Sequence, residues 1–244
     1  MQPTDLSLLP ETAGNREQMQ AIQTIVANRA RFHDDASLDG PDPNSLLVAG
    51  VDQSFVDEDV VSAVVVFQND TIVESVTDRM PVSLPYIPGY LAFREGPPIR
   101  RALEKLQSTP DVIMFDGNGR IHPRQAGLAT HLGVAFDHPT IGVAKRLLCG
   151  NPGSSLEASY AVGTTIPIFG TQPEEPLLGY AVQTRQWEES NRSINPIYVS
   201  PGHRCNPTTA VAIVRAWCSE YKLPDPIRHA DSLATQARQR TANG

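Results

Sequence analysis

LLVAGVDQSF (residues 46–55), VVSAVVVFQ (60–68) and TIVESVTD (71–78) decide the fold of this 244-residue chain. Each run is aliphatic or β-branched and is split from the next by a short polar turn. Asn69-Asp70 stands where a two-residue hairpin turn belongs, so an antiparallel meander is expected. Further along, DVIMF (111–115) runs directly into Asp116-Gly117, and TIGV (140–143) is a second short apolar run; both read as buried strands. Residues 98–107 and 125–132 read as helices, the first starting just behind its proline. Strand candidates at 176–184 and 196–200 follow, then a helix over 208–221 with Pro207 ahead of it. Upstream, Met19, Ile22, Ile25 and Val26 share one face of a helix over 15–32. Residues 150–175, rich in Gly, Pro, Ser and Thr, read as a surface connection or short hairpin, and the chain from 236 as a polar, frayed tail. A meander followed by helix-separated strands predicts an α/β chain: a mixed β-sheet flanked by helices, in a single domain over 1–244. In such sheets the strand ends are where sites form.

The bulk properties narrow the setting. The first residues lack a basic start and a continuous apolar run, and no stretch approaches the ~18 apolar residues of a membrane helix. Three cysteines, Cys149, Cys205 and Cys218, have no metal-like spacing. Free thiols in a cytoplasmic protein are expected, with no membrane partner. Net charge is −7, yet residues 94–146 carry eight basic side chains against five acids, a local +3 within a chain whose remainder is −10. A basic segment on an acidic body can hold phosphates, above all if a divalent cation adds charge.

Asp52 interrupts an apolar strand, and Asp116 closes another where a glycine permits a sharp turn. A buried carboxylate costs several kcal/mol unless a cation or donors satisfy it. Two on neighbouring strands suit a hard cation such as Mg²⁺; one alone would more simply cap a helix or pair with arginine. Glu95, in FREGP, either joins them or complements a helix N-terminus. Lys145 ends a buried strand and suits phosphate contact, or is merely solvated. His122 follows a glycine turn and is equally readable as a packed residue. Tyr86 is stiffened between two prolines and could wedge between bases, or simply pack. SPGHR (200–204) reads as a turn exposing His203 and Arg204 toward phosphate.

Taken in order and spacing, LLVAGVDQSF, PYIPGYLAFREGP (85–97), FDGNGRIHPRQAGLATHLG (115–133), TIGVAK (140–145) and VSPGHR (199–204) closely resemble the endonuclease V family over residues 46–233. The resemblance implies a ribonuclease H-like fold and a Mg²⁺-dependent nuclease, with Mn²⁺ as substitute; a monomer is expected. It implies cleavage of DNA containing deaminated purines at the second phosphodiester bond 3′ to deoxyinosine, leaving a 3′-hydroxyl and a 5′-phosphate. Asp52 and Asp116 match the metal-binding acids, Glu95 the third catalytic acid and Lys145 the lysine beside the scissile phosphate. Pro85, Tyr86, Ile87 and Pro88 match the strand-separating wedge; Gly89, Leu91, Gly119, His122 and Leu128 match positions around the flipped base. A metal held by two aspartates can activate water and neutralise charge on the phosphate, and the lysine adds to this.

The chain departs from the family at Gln53, where an aliphatic residue is usual and the side chain is expected on the opposite sheet face. It departs again at Arg120, expected with Arg124 to add phosphate contacts. Near the C-terminus LPDPIRHAD aligns Asp231, not His229, with a functional position and makes it a candidate auxiliary acid. Inosine-containing RNA as the main substrate, or a silent inosine-binding module, are the alternatives. Four intact catalytic positions speak against the module, and the lack of a dinucleotide or P-loop fingerprint speaks against a small-molecule α/β enzyme.

Overall fold

The computed structural model describes residues 1–156, 160–171, 176–186 and 194–242. The meander is present: β1 (Val48–Val56), β2 (Asp59–Gln68) and β3 (Thr71–Pro81) pair antiparallel. Asn69 and Asp70 both take positive φ, 47° and 61°, which is the two-residue turn their side chains tolerate. β4 (Val112–Asp116) and β5 (Thr140–Ala144) add parallel strands beside β1, with Val51 opposite Phe115 and Asp116 opposite Val143. β9 (Ile197–His203) and β8 (Leu177–Val182) return antiparallel. The segment read as a surface connection supplies β6 (Asn151–Pro152) and β7 (Thr165–Phe169), which extend the sheet edge; its residues 157–159 and 172–175 lie outside the described ones. The order among the described residues is β3-β2-β1-β4-β5-β9-β8-β7-β6, the mixed, ribonuclease H-like α/β sheet that was expected.

Strand alternation divides the core. Val48, Ala63, Met114 and Val143 pack on one face with α4 (Pro207–Ala216) and α5 (Asp225–Ala242). Ala49, Val51, Val64, Ile113 and Phe115 pack on the other with α2 (Leu91–Glu104) and α3 (Leu128–Phe136). Asp52 and Asp116 continue the first series, so both belong to the α5 side. Gln53 belongs to the α2 side.

Four expectations are corrected. α2 begins at Leu91 rather than behind Pro98, and carries Pro97 and Pro98 inside it. Two missing N–H donors are tolerated because Phe93, Ile99 and Leu103 bury fully there, and tertiary packing outweighs propensity. The second predicted helix, 125–132, is displaced toward the C-terminus as α3, since Gln125 adopts φ 51° in a turn ahead of it. The supposed frayed tail is the second half of α5, whose Ile227, Ala230 and Ala234 are buried while its outer face is polar. In α1 (Arg16–Arg29) the buried positions are Met19, Gln23 and Val26, with Ile25 exposed.

Candidate active site

α5 crosses β1 where Gly50 leaves no side chain. A Cβ there would lie 2.0 Å from the Pro226 carbonyl carbon, so only glycine lets the helix approach this closely. The crossing brings Asp231 near enough to raise the Asp52 pKa electrostatically. Asp116 ends β4 beside Lys145, which follows β5, and the ammonium donates to Asp116 Oδ2 at 2.5 Å. Glu95 enters from α2 and is largely buried. Asp52, Glu95, Asp116, Lys145 and Asp231 thus act on one another, although four separate elements and one strand end carry them.

The electrostatics are those of acids short of positive charge. Burial, then the Asp116 charge, pushes Asp52 up to about 7, against the pull of the Gln53 backbone N–H and Lys145. Burial pushes Glu95 up to about 8; Arg94 opposes it, while Asp116 and Asp52 reinforce it. Among the described residues no three acid, His or Cys groups stand in ready-made ligand geometry, and Lys145 is paired with Asp116. The donor set nevertheless fits a hard divalent cation: crowded carboxylate oxygens whose ionised forms need a positive charge.

A raised carboxylate pKa means that, between the ordinary range and the raised value, the folded chain holds protons the unfolded chain has released. Stability therefore falls as pH rises through that window. In EDTA, the unfolding temperature should fall from about pH 5 to about pH 8, and Asp52→Asn should flatten the slope. Thermal denaturation across that range checks it; an equally steep slope in the variant would remove Asp52 as a cause.

Gln53 lies on the sheet face opposite the two aspartates, as expected, and faces α2. Its Nε2 donates to Ser62 Oγ at 2.6 Å and to the Glu95 carbonyl at 2.9 Å, tying β1 and β2 to α2 at the acid. The Arg94 guanidinium, next to Glu95 in sequence, lies over the Phe55 ring of β1 at 4.5 Å.

Beside the acids lies a cavity lined by Tyr86, Gly89, Leu91, Asn118, His122 and Leu128, among others. Four of the five predicted base-pocket residues are there. Gly119 is not: its N–H donates to Ser200 Oγ and it packs against the Pro201 backbone, so Asn118 takes its place. Pro85, Tyr86, Ile87 and Pro88, expected to form a wedge, are all exposed, Tyr86 by 62%, and Tyr86 lines the cavity. Exposed Leu148, which the sequence did not single out, shares the lining. His122 is buried and its pKa is pushed down to about 4. Its Nδ1 accepts from the Arg124 backbone N–H at 3.1 Å, which leaves Nε2 to donate to the Gly89 carbonyl at 3.0 Å.

The expected phosphate contacts are engaged elsewhere. His203 is 2% exposed, because SPGH continues β9; it sits between the Arg31 N–H and Asp137. Arg204 pairs with Asp35 and Asp137. Arg120 lies on the Phe32 ring at 4.1 Å and donates to Gln125 and the Leu177 carbonyl. Arg124 donates to Gln23 and Tyr90. The site keeps Lys145 and its exposed neighbour Arg146 as accessible cations.

A family model described as endonuclease V matches residues 30–232. The endonuclease V of Natronomonas pharaonis is 48% identical over 244 residues, covering 96% of this chain and 96% of that protein. The crystal structure of the Streptomyces avermitilis endonuclease V is similar at a TM-score of 0.79 and 33% identity, covering 94% of this chain and 96% of that one. The Ciona intestinalis endonuclease V, in complex with a 24mer DNA containing an inosine followed by a ribo-adenosine, is similar at 0.76 and 29%, covering 92% and 98%. Among the described residues no helix is long and apolar enough to cross a membrane. This chain belongs to the endonuclease V family and is an endonuclease that hydrolyses phosphodiester bonds.

Proposed function

We propose that the enzyme nicks DNA at the second phosphodiester bond 3′ to deoxyinosine, leaving a 3′-hydroxyl and a 5′-phosphate, with Mg²⁺ as cofactor and Mn²⁺ able to replace it. The observation that carries this reading is the adjoining of two features: the acid cluster with Lys145, and a cavity whose mouth bears the exposed Tyr86. The inosine-containing DNA bound by the Ciona relative supports the substrate.

Asp52 and Asp116 would hold the cation, which supplies charge for the phosphate and a lowered pKa for water. Glu95, held by Gln53 through its backbone, is placed to take or orient a proton on the attacking water. Lys145 leaves Asp116 to meet the scissile phosphate, at small cost because it is half exposed. Asp231 adds negative charge from α5. Tyr86 and its flanking prolines take the place of the extruded base in the stack. In the cavity, α2 starts without a side-chain cap; the Phe93 N–H turns back to the Tyr90 carbonyl at 3.0 Å, which leaves the N–H groups of the lining residues Leu91 and Ala92 for a ligand. Such donors favour hypoxanthine, which presents a carbonyl acceptor where adenine presents an amino donor.

The Ciona strand carries a ribonucleotide directly after its inosine, which keeps inosine-containing RNA as the second reading. Labelled DNA and RNA strands, each with inosine or adenine at one position, should be incubated with Mg²⁺ or EDTA. Faster Mg²⁺-dependent nicking of the inosine DNA supports the proposal. Faster nicking of the inosine RNA transfers the assignment, and cleavage indifferent to inosine removes it.

A further inference from the structure

One wall of the cavity comes from ahead of the residues that the family model matches. α1 ends at Arg29 and the match begins at residue 30. Gln23 of α1 is nevertheless fully buried and lines the cavity together with Tyr86, Gly89 and His122. A glutamine seldom buries without partners, and both ends of this amide are engaged. Nε2 donates to the Gly89 carbonyl at 2.8 Å, the oxygen that also accepts from His122. Oε1 accepts from the Arg124 guanidinium at 3.2 Å. One turn earlier, Gln20 Nε2 donates to the Tyr90 hydroxyl at 2.7 Å, and Arg16 Nε reaches it at 3.2 Å. Arg124 touches the same hydroxyl at 3.4 Å, closing the network between the two glutamines.

The position of this network gives it a consequence. Gly89 has φ +79°, and Tyr90 is the last residue before α2. These two residues are where the exposed wedge turns into the helix whose uncapped first turn borders the cavity. Their orientation sets where those N–H groups lie relative to a base. A buried carbonyl that loses a donor forfeits more than the bond's net worth, so the pair of donors on Gly89 favours one backbone geometry.

We propose that α1 is a working part of the base pocket, with Gln23 as a positioning residue. By holding Gly89 and Arg124 it keeps the α2 start in the geometry that accepts hypoxanthine. This rests on the reading that the enzyme nicks at inosine.

The test uses the full chain with Mg²⁺, enzyme in excess over a labelled DNA strand containing one inosine. Gln23→Met keeps length and loses both hydrogen bonds; Gln23→Glu keeps an acceptor for Arg124 and loses the donor to Gly89. Both variants should raise the half-saturating enzyme concentration about tenfold, with the maximal rate within about twofold of wild type. In DNA-free protein, amide hydrogen exchange at Tyr90 and Phe93, whose N–H groups donate to the Ile87 and Tyr90 carbonyls at 3.0 Å, should accelerate about tenfold, with β4 amides unchanged. Unchanged half-saturation and exchange would overturn the proposal. So would a lowered maximal rate at unchanged half-saturation, which puts Gln23 in the chemical step, and so would faster exchange in β4 as well, because with enzyme in excess an unfolded fraction alone raises half-saturation. A wild type that ignores inosine would refute the substrate reading instead, and the exchange comparison would still decide the clamp. Should the Gln23 variants fail to fold, Gln20→Ala should shift both readouts in the same direction by a smaller factor; no shift would overturn the proposal.

Discussion

Asp116→Ala should lower the single-turnover nicking rate about 10³-fold or more, and Asp52→Ala should match it. Both carboxylates lie on the α5 side of the sheet, on adjacent parallel strands one residue beyond the paired Val51 and Phe115. Removing either takes away half the oxygen set that a divalent cation would use. The same substitutions should not weaken the fold in EDTA. Asp52 is ionised at neutral pH only against burial and the Asp116 charge, so its loss relieves repulsion. Lys145, freed of Asp116, is exposed enough to hydrate. Activity falling while stability above about pH 7 holds or rises is the pattern of a site held at the expense of stability. Loss of less than tenfold in either variant, measured with labelled inosine DNA, would place the chemistry elsewhere.

Gly50→Val should be the most damaging single change to the scaffold. The new side chain would meet the Pro226 carbonyl carbon at 2.0 Å, its oxygen at 2.1 Å and the Ile227 nitrogen at 2.5 Å, all backbone atoms. None is the end of a flexible chain, so α5 must move as a body away from β1. Overpacking of this kind costs about 3 kcal/mol or more, which lowers Tm by roughly 10 °C in a chain of this size. Because α5 carries Asp231, activity should drop further than the unfolded fraction explains. Differential scanning calorimetry alongside nicking rates tests both parts. A Tm within about 2 °C of wild type would show that the helix is not pinned there.

Much of this scaffold is legible in the chain because strands announce themselves. Valine-rich runs with Asn69-Asp70 between them have few other ways to fold, and an aspartate closing DVIMF has to emerge at a strand end. The helices were harder to read for identifiable reasons. Pro97 and Pro98 mark a helix start by local rules, yet α2 runs through them because its buried face compensates. α5 hides in a polar sequence, since its buried face is built largely of small residues, Ala230 and Ala234 beside Ile227. The one sequence hint of its docking is Gly50 within a strand, where glycine marks close backbone approach.

The site was legible unevenly. Single charged residues in apolar surroundings stood out, and Asp52, Asp116 and Lys145 do meet. His203 and Arg204 misled because a Ser-Pro-Gly run looks like an exposed turn, whereas its residues continue β9 and are buried. Asn118 replaced Gly119 because sequence spacing does not say which neighbour of a turn points into a cavity. Gln23 gave no signal at all: a glutamine among Met19, Ile22 and Val26 looks like the helix boundary, and only its partners reveal that it is inside.

The central claim is that this acid cluster acts on the strand the cavity reads. The direct measurement is to map, at single-nucleotide resolution, the cut made in a labelled DNA strand carrying one deoxyinosine, with Mg²⁺ present. One nick is expected, at the second phosphodiester bond 3′ to the inosine, ending in a 3′-hydroxyl that a polymerase extends without further treatment. A cut at another bond, or an equal cut in the matched adenine strand, would contradict it.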